Sequence, residues 1–230
     1  MKKFLAVLLA AIMVLSVTAS FAESAEITDS TKVNTLIVGS PTLNGDFIDD
    51  FGNSAYDNWV KLLLMEYNGT MEVAGNGEII ENPMVVAGKE VSEDEAGNKT
   101  YTWTIQEDLK WSDGSAITAQ DYVAYVLWKA SPEWAAAGAA TDVGYYFLGY
   151  SAYVAGETQT FAGVKLIDDY TFSVTIDAAQ LPYYWESSLA GVSPIPFKAW
   201  APELSIVSSD EGSAFEQDRE TVAAAMNRVA

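Results

Sequence analysis

Large apolar residues alternate with threonine at Tyr101, Trp103 and Ile105, and a helical spacing replaces that alternation some fifteen residues later. The alternation predicts a strand with one bulky apolar face. Trp111-Ser112-Asp113-Gly114 reads as a tight turn, because Ser and Asp can bond their own backbone and Gly accepts positive φ. Thr118-Ala119-Gln120-Asp121 reads as a capping box, with Asp121 reaching back to Thr118. Tyr122, Val123, Val126 and Leu127 then recur as the buried stripe of the helix that follows. A second alternation sets Phe172, Val174 and Ile176 against Ser173 and Thr175. It predicts the return strand of a pair spanning Phe161 to Ile176, turned at Asp168-Asp169-Tyr170.

The same reading extends along the chain. Asn34 to Gly39 is a short β run. Ser54 caps a helix whose apolar positions, Trp59, Val60, Leu63 and Leu64, are spaced to form one buried face. Glu78 to Val91 is extended around Asn82-Pro83, and Glu93 to Lys99 is the polar tip of a hairpin returning through Tyr101. Pro132 opens a short helix that Gly138 to Thr141 breaks. Tyr145 to Ala155 is an aromatic helix or irregular segment. Pro182 suits the first turn of a helix holding Tyr183, Tyr184, Trp185 and Leu189. Pro194 and Pro196 force an extended bend, and Phe215 to Val229 reads as an amphipathic helix. Strands and helices are thus interspersed, a mixed α/β (α+β) pattern.

The first residues carry a different pattern. Lys2 and Lys3 precede an almost wholly apolar run, Phe4 to Val17, and Ser20-Phe21-Ala22 places small residues at the −3 and −1 positions of a cleavage site. Residues 1–22 are expected to be a signal peptide cut after Ala22, without stable membrane insertion afterwards. The chain has no cysteine and no histidine. Disulfides, thiolate nucleophiles, His-based triads and histidine metal sites are therefore excluded, and no lipid-bearing cysteine is available. A periplasmic or secreted protein is expected. With 12 basic and 32 acidic residues the net charge is −20, which repels nucleic acid and anionic lipid.

The block from Tyr101 to Trp128 resembles the signature of the extracellular solute-binding proteins of family 5, the oligopeptide and dipeptide type that feeds ABC importers. W-S-D-G stands at Trp111 to Gly114 and T-A-x-D at Thr118 to Asp121. Gly163-Val164-Lys165 with Asp168-Asp169-Tyr170-Thr171-Phe172 matches a strand pair of the family, and Val192-Ser193-Pro194-Ile195-Pro196 is close to its S-P-x-P. The motifs stand in the family's order between Leu36 and Trp200. The resemblance implies a lobe like that of type II periplasmic binding proteins, carrying an inserted small mixed domain. It implies a start of lobe I over 23–66, the inserted domain over 67–160 and a return into lobe I over 161–230. A second lobe is absent from this pattern, so the N-terminal portion alone is expected, and weak or no solute binding with it.

The family's ligand cleft is lined by the loop after its first strand. The matching residues here are Gly39, Ser40, Pro41, Thr42, Leu43 and Asn44, with Asp46 close by. Pro41 stands near the position where some peptide-binding members carry an acidic residue. Peptide or another small solute and ABC permease subunits are the implied partners, with no cofactor, metal or catalytic residue. Trp111 and Asp113 read as turn-formers, and the aromatics Tyr145, Tyr146, Phe147, Tyr183, Tyr184 and Trp185 read as core at their spacing. Asp168 and Asp169 are adjacent in a turn, where neither gains the environment of a general acid. A secreted glycoside hydrolase or carbohydrate-binding module is the competing function, since acidic aromatic-rich chains serve there too. A secreted interaction domain is a third.

Overall fold

The computed structural model describes residues 39–48, 50–52, 54–64, 68–184 and 186–230. The expected signal peptide, the β run up to residue 38 and Trp185 lie outside the described residues. The chain divides into two units, Met1–Ser40 and Pro41–Ala230. In the first, Gly39 and Ser40 are exposed and without regular structure. The elements that follow belong to the second unit.

Its centre is a four-stranded antiparallel sheet of β3 (Val86–Glu93), β4 (Lys99–Ile105), β5 (Val164–Leu166) and β6 (Thr171–Ile176), in the order β3-β4-β6-β5. The sheet draws strands from both sides of residue 160. Trp103 lies opposite Phe172 and Tyr101 opposite Val174, so the apolar faces read from the two alternations fall side by side. Helix α2 (Ala119–Lys129) covers that face, with Tyr122 stacked on Phe172 at 5.1 Å between ring centres. Two small hairpins flank this layer: β1 (Met71–Val73) with β2 (Ile79–Glu81), and β7 (Ile206–Ser209) with β8 (Gly212–Phe215). Short helices α3 (Pro132–Ala136), α4 (Tyr150–Val154), α5 (Glu186–Leu189) and α6 (Phe197–Trp200) join them, and α7 (Arg219–Val229) ends the chain.

The motif block folds as its residues dictate. The Trp111 carbonyl accepts from the Gly114 amide, and the Asp113 carboxylate accepts from the Ser115 amide at 2.8 Å. Ser131 caps α3 by accepting from the Trp134 amide at 3.1 Å, with Pro132 in the first turn. Gly163 has no room for a side chain, since a Cβ there would sit 2.7 Å from the Leu148 carbonyl oxygen.

Three expectations are corrected. Helix α1 (Ala55–Leu64) forms, but Trp59, Leu63 and Leu64 point to solvent and Val60 is half-buried. The buried residues of this helix are Asp57 and Lys61, one turn apart on one side. The reason is the Asp57 carboxylate, which accepts the Asn44 amide at 3.1 Å and the Asp46 amide at 3.0 Å and so turns the polar side inward. Phe215 to Val229 is not one helix: Phe215 belongs to β8, and Asp218 caps α7 by accepting from the Thr221 amide at 2.8 Å. Pro182 does not start a helix either. Leu181 is extended, as a residue before proline must be, and α5 begins at Glu186.

Candidate functional site

Asp121 joins three of the sequence motifs. As the third residue of α2 it accepts the Thr118 amide at 2.8 Å through one oxygen, and through the other it accepts the Phe197 amide at 3.2 Å. The Trp111 indole also donates to it, and its own carbonyl accepts from the Ile195 amide. One residue, through its carboxylate and its backbone carbonyl, therefore ties W-S-D-G, T-A-x-D and S-P-x-P together. Burial raises the Asp121 carboxyl above the usual carboxylate range, and the donors from Thr118, Phe197 and Trp111 only partly offset it. These residues are scaffold, held too closely to receive a ligand.

Beside this scaffold opens a cavity of about 110 Å³. Val126, Phe147 and Val192 form its buried base, Tyr125, Tyr145 and Tyr146 its walls, and Asp142 stands exposed at its edge. The rings meet nearly at right angles: Tyr145 to Tyr146 at 88° and 5.2 Å, Tyr145 to Tyr150 at 67° and 5.5 Å. Tyr183 extends the row, 5.9 Å from Tyr146. Tyr145 is 51% exposed, Tyr183 42% and Tyr184 87%. The expectation of core aromatics thus holds for Phe147 and fails for these three. Aromatic spacing alone does not distinguish a core from a rim. Burial, then the Asp142 charge, holds the Tyr150 phenol above its usual range.

Gly39, Ser40, Pro41, Thr42, Leu43 and Asn44 are all exposed. Within the second unit, the Asp57 carboxylate fixes the backbone at Asn44 and Asp46 and leaves the side chains of Pro41, Thr42, Leu43 and Asn44 outward. Further along, Asp50 anchors the segment: it pairs with Lys129 at 3.2 Å and accepts from the Trp134 indole at 2.9 Å. Sequence reading missed Asp57 because the groups it serves lie 11 and 13 residues earlier.

Other polar groups are engaged structurally. Arg219 donates to Glu133 and to the carbonyls of Gly156 and Thr158, which consumes the polarity of a second, much smaller cavity. Glu186 accepts from Lys99 and, at 2.7 Å, from the Tyr101 hydroxyl. Asp168 and Asp169 are exposed, and Asp168 accepts from the Tyr170 amide. Among the described residues no three acidic side chains gather to hold a metal ion, and no helix is long and apolar enough to cross a membrane.

A mixed α/β layer with an open aromatic cavity is the class this fold and site define. The family model of bacterial extracellular solute-binding proteins, family 5 (middle), matches residues 82–223, and the chain belongs to that family. The chain is 32% identical over 120 residues to the periplasmic oligopeptide-binding protein OppA of Salmonella typhimurium, covering 48% of this chain and 22% of that protein. It is 36% identical over 84 residues to the dipeptide-binding protein DppE of Bacillus subtilis, covering 36% and 15%. The fold is similar to a crystal structure of a periplasmic oligopeptide-binding protein from Borrelia burgdorferi, with TM-score 0.51, 18% identity, and 67% and 30% of the two chains covered. The chain spans about a fifth of the length of the curated relatives it matches.

Proposed function

We propose that this protein is the peptide-binding component of an ABC import system, and that it grips and releases its solute without turning it over. The observation that carries this is the family match over residues 82–223, together with relatives that are oligopeptide- and dipeptide-binding proteins. The open cavity walled by Tyr125, Tyr145 and Tyr146 supplies apolar and ring surface for a side chain of the solute. Gly39, Ser40, Pro41, Thr42, Leu43 and Asn44, all exposed, are the second set of candidate contacts. Permease subunits are the proposed partners, and export by residues 1–22 to the periplasm or the medium is the proposed route.

The 230-residue segment by itself is expected to bind weakly, because a cavity of about 110 Å³ has room for no more than one side chain of a peptide. The test is calorimetric titration of the full-length protein, and of this segment, with a mixture of tri- to pentapeptides. Saturable heat with the full-length protein and little with the segment is the expected result. Micromolar binding to the segment would remove the weak-binding claim. Absence of any peptide heat, with release of chromophore from aryl glycosides, would replace the transport reading by the hydrolase.

A further inference from the structure

The cavity beside α2 has a chemical bias. We infer that it selects a peptide residue bearing a primary ammonium, whose apolar stem lies between the tyrosines and whose charge sits at Asp142; this inference rests on the peptide-binding reading above. Size is the first argument. A cavity of about 110 Å³ is well below the several hundred Å³ of a site that encloses a whole small ligand, so it takes one side chain.

Ring geometry is the second. Tyr145 stands at 88° to Tyr146, so a ring face and a ring edge meet in the cavity wall. Faces of this kind attract an organic cation through their quadrupole. The same preference is already visible nearby, where the Lys129 ammonium lies 5.1 Å over the Tyr125 ring. That lysine is committed to Asp50, at 3.2 Å, so its charge is offset.

Charge is the third. No lysine or arginine is among the residues lining the cavity, and the one ionisable carboxylate there, Asp142, is exposed at its edge. The base is apolar, made by Val126, Phe147 and Val192. A group with an apolar stem and a cationic head matches that order of surfaces; a carboxylate-bearing side chain meets repulsion from Asp142 and from the net charge of −20. The shared chemistry is a primary ammonium, which a lysine side chain or a free peptide N-terminus can supply.

The probes are Ala-Lys-Ala, Ala-norleucine-Ala and the N-acetylated form of each, titrated into the full-length protein. Norleucine keeps the lysine stem and removes the charge. A ring face and an exposed carboxylate together support a preference of about tenfold for the ammonium. Lysine over norleucine, kept after acetylation, assigns the side chain; a loss of about tenfold on acetylation of either peptide assigns the N-terminus. Asp142→Asn is expected to erase whichever preference is seen, and added salt to weaken it. Equal binding of all four probes, or a preference that survives Asp142→Asn, overturns the inference and leaves the peptide reading standing. Binding of none of the probes, nor of the peptide mixture, overturns both.

Discussion

Helices α1 and α2 have nearly the same length, 10 and 11 residues, and both carry an apolar stripe, yet they sit in the protein in opposite ways. Helix α2 buries nine of its residues, seven of them aromatic or aliphatic, with Asp121 and Lys129 held by polar partners. Helix α1 buries Asp57 and Lys61 and leaves Tyr56, Trp59, Leu62, Leu63 and Leu64 at the surface. Amphipathic spacing states that a helix has an apolar side; it does not state what covers that side. For α2 the cover is β5 and β6 on one side and the rings of Trp134, Trp200 and Phe215 around Trp128. For α1 the nearest strong demand is electrostatic, the two amides of the preceding loop, and the polar side answers it. A desolvated carboxylate that holds backbone donors outranks an apolar stripe lacking a partner among the described residues.

Substitutions turn this contrast into numbers. Trp103→Ala should be the most damaging, because the ring is fully buried, packs against Tyr101 and donates to the Ala190 carbonyl; a loss of about 4 kcal/mol in urea unfolding is expected. A loss below about 1 kcal/mol would show that the sheet face is less tightly packed than described. Gly163→Ala should cost about 2 kcal/mol, since the added methyl group meets backbone at 2.7 Å and both Gly163 and Leu148 are held by hydrogen bonds to Thr175. Ser131→Ala removes the cap of α3 and should cost about 1 kcal/mol. At the other helix, Trp59→Ala should change stability of this chain by no more than about 0.5 kcal/mol, although tryptophan is the larger truncation. A large loss there would mean that the α1 stripe is covered after all.

Asp121 sharpens the comparison by pH. Its folded-state carboxyl lies above the unfolded value, so the folded chain holds the proton to higher pH than the unfolded one. The stability this group contributes is fully present below the unfolded value and is lost as pH rises through the folded one. Asp121→Asn abolishes that slope. Unfolding midpoints followed from acid to neutral pH should therefore shift in the variant's favour as pH rises, and parallel curves would show that burial does not govern this carboxylate.

The β4 to α2 stretch was legible from sequence because propensity, turn chemistry and burial agree there. Asp113 closes the turn, Asp121 reaches back to Thr118, and Tyr122 lands on Phe172. The fold class follows from the same agreement. The β7–β8 hairpin was hidden because the alanine-rich pattern of α7 ran past its true start at Arg219 into Phe215. The candidate cavity was half legible: its tyrosines were noticed, but Tyr145 and Phe147 look alike in one dimension while one is exposed and the other buried. What separates them is Gly163 and the close approach of Phe147 to it, a contact between residues sixteen apart. The role of Asp57 was illegible for the converse reason, since a short acidic side chain in a first helical turn looks like ordinary dipole compensation.

The outer margin of β5 carries one last consequence. The Leu166 amide donates to the hydroxyls of Ser208 on β7 and Ser213 on β8, so the β7–β8 hairpin lies against this margin. Side-chain oxygens thus terminate the ladder chemically, where a further strand from another molecule would otherwise add. At the opposite margin, β3 presents Lys89, Glu90 and Glu93 in place of an uncharged edge. Both margins of this sheet are thereby guarded against pairing edge to edge with a second molecule.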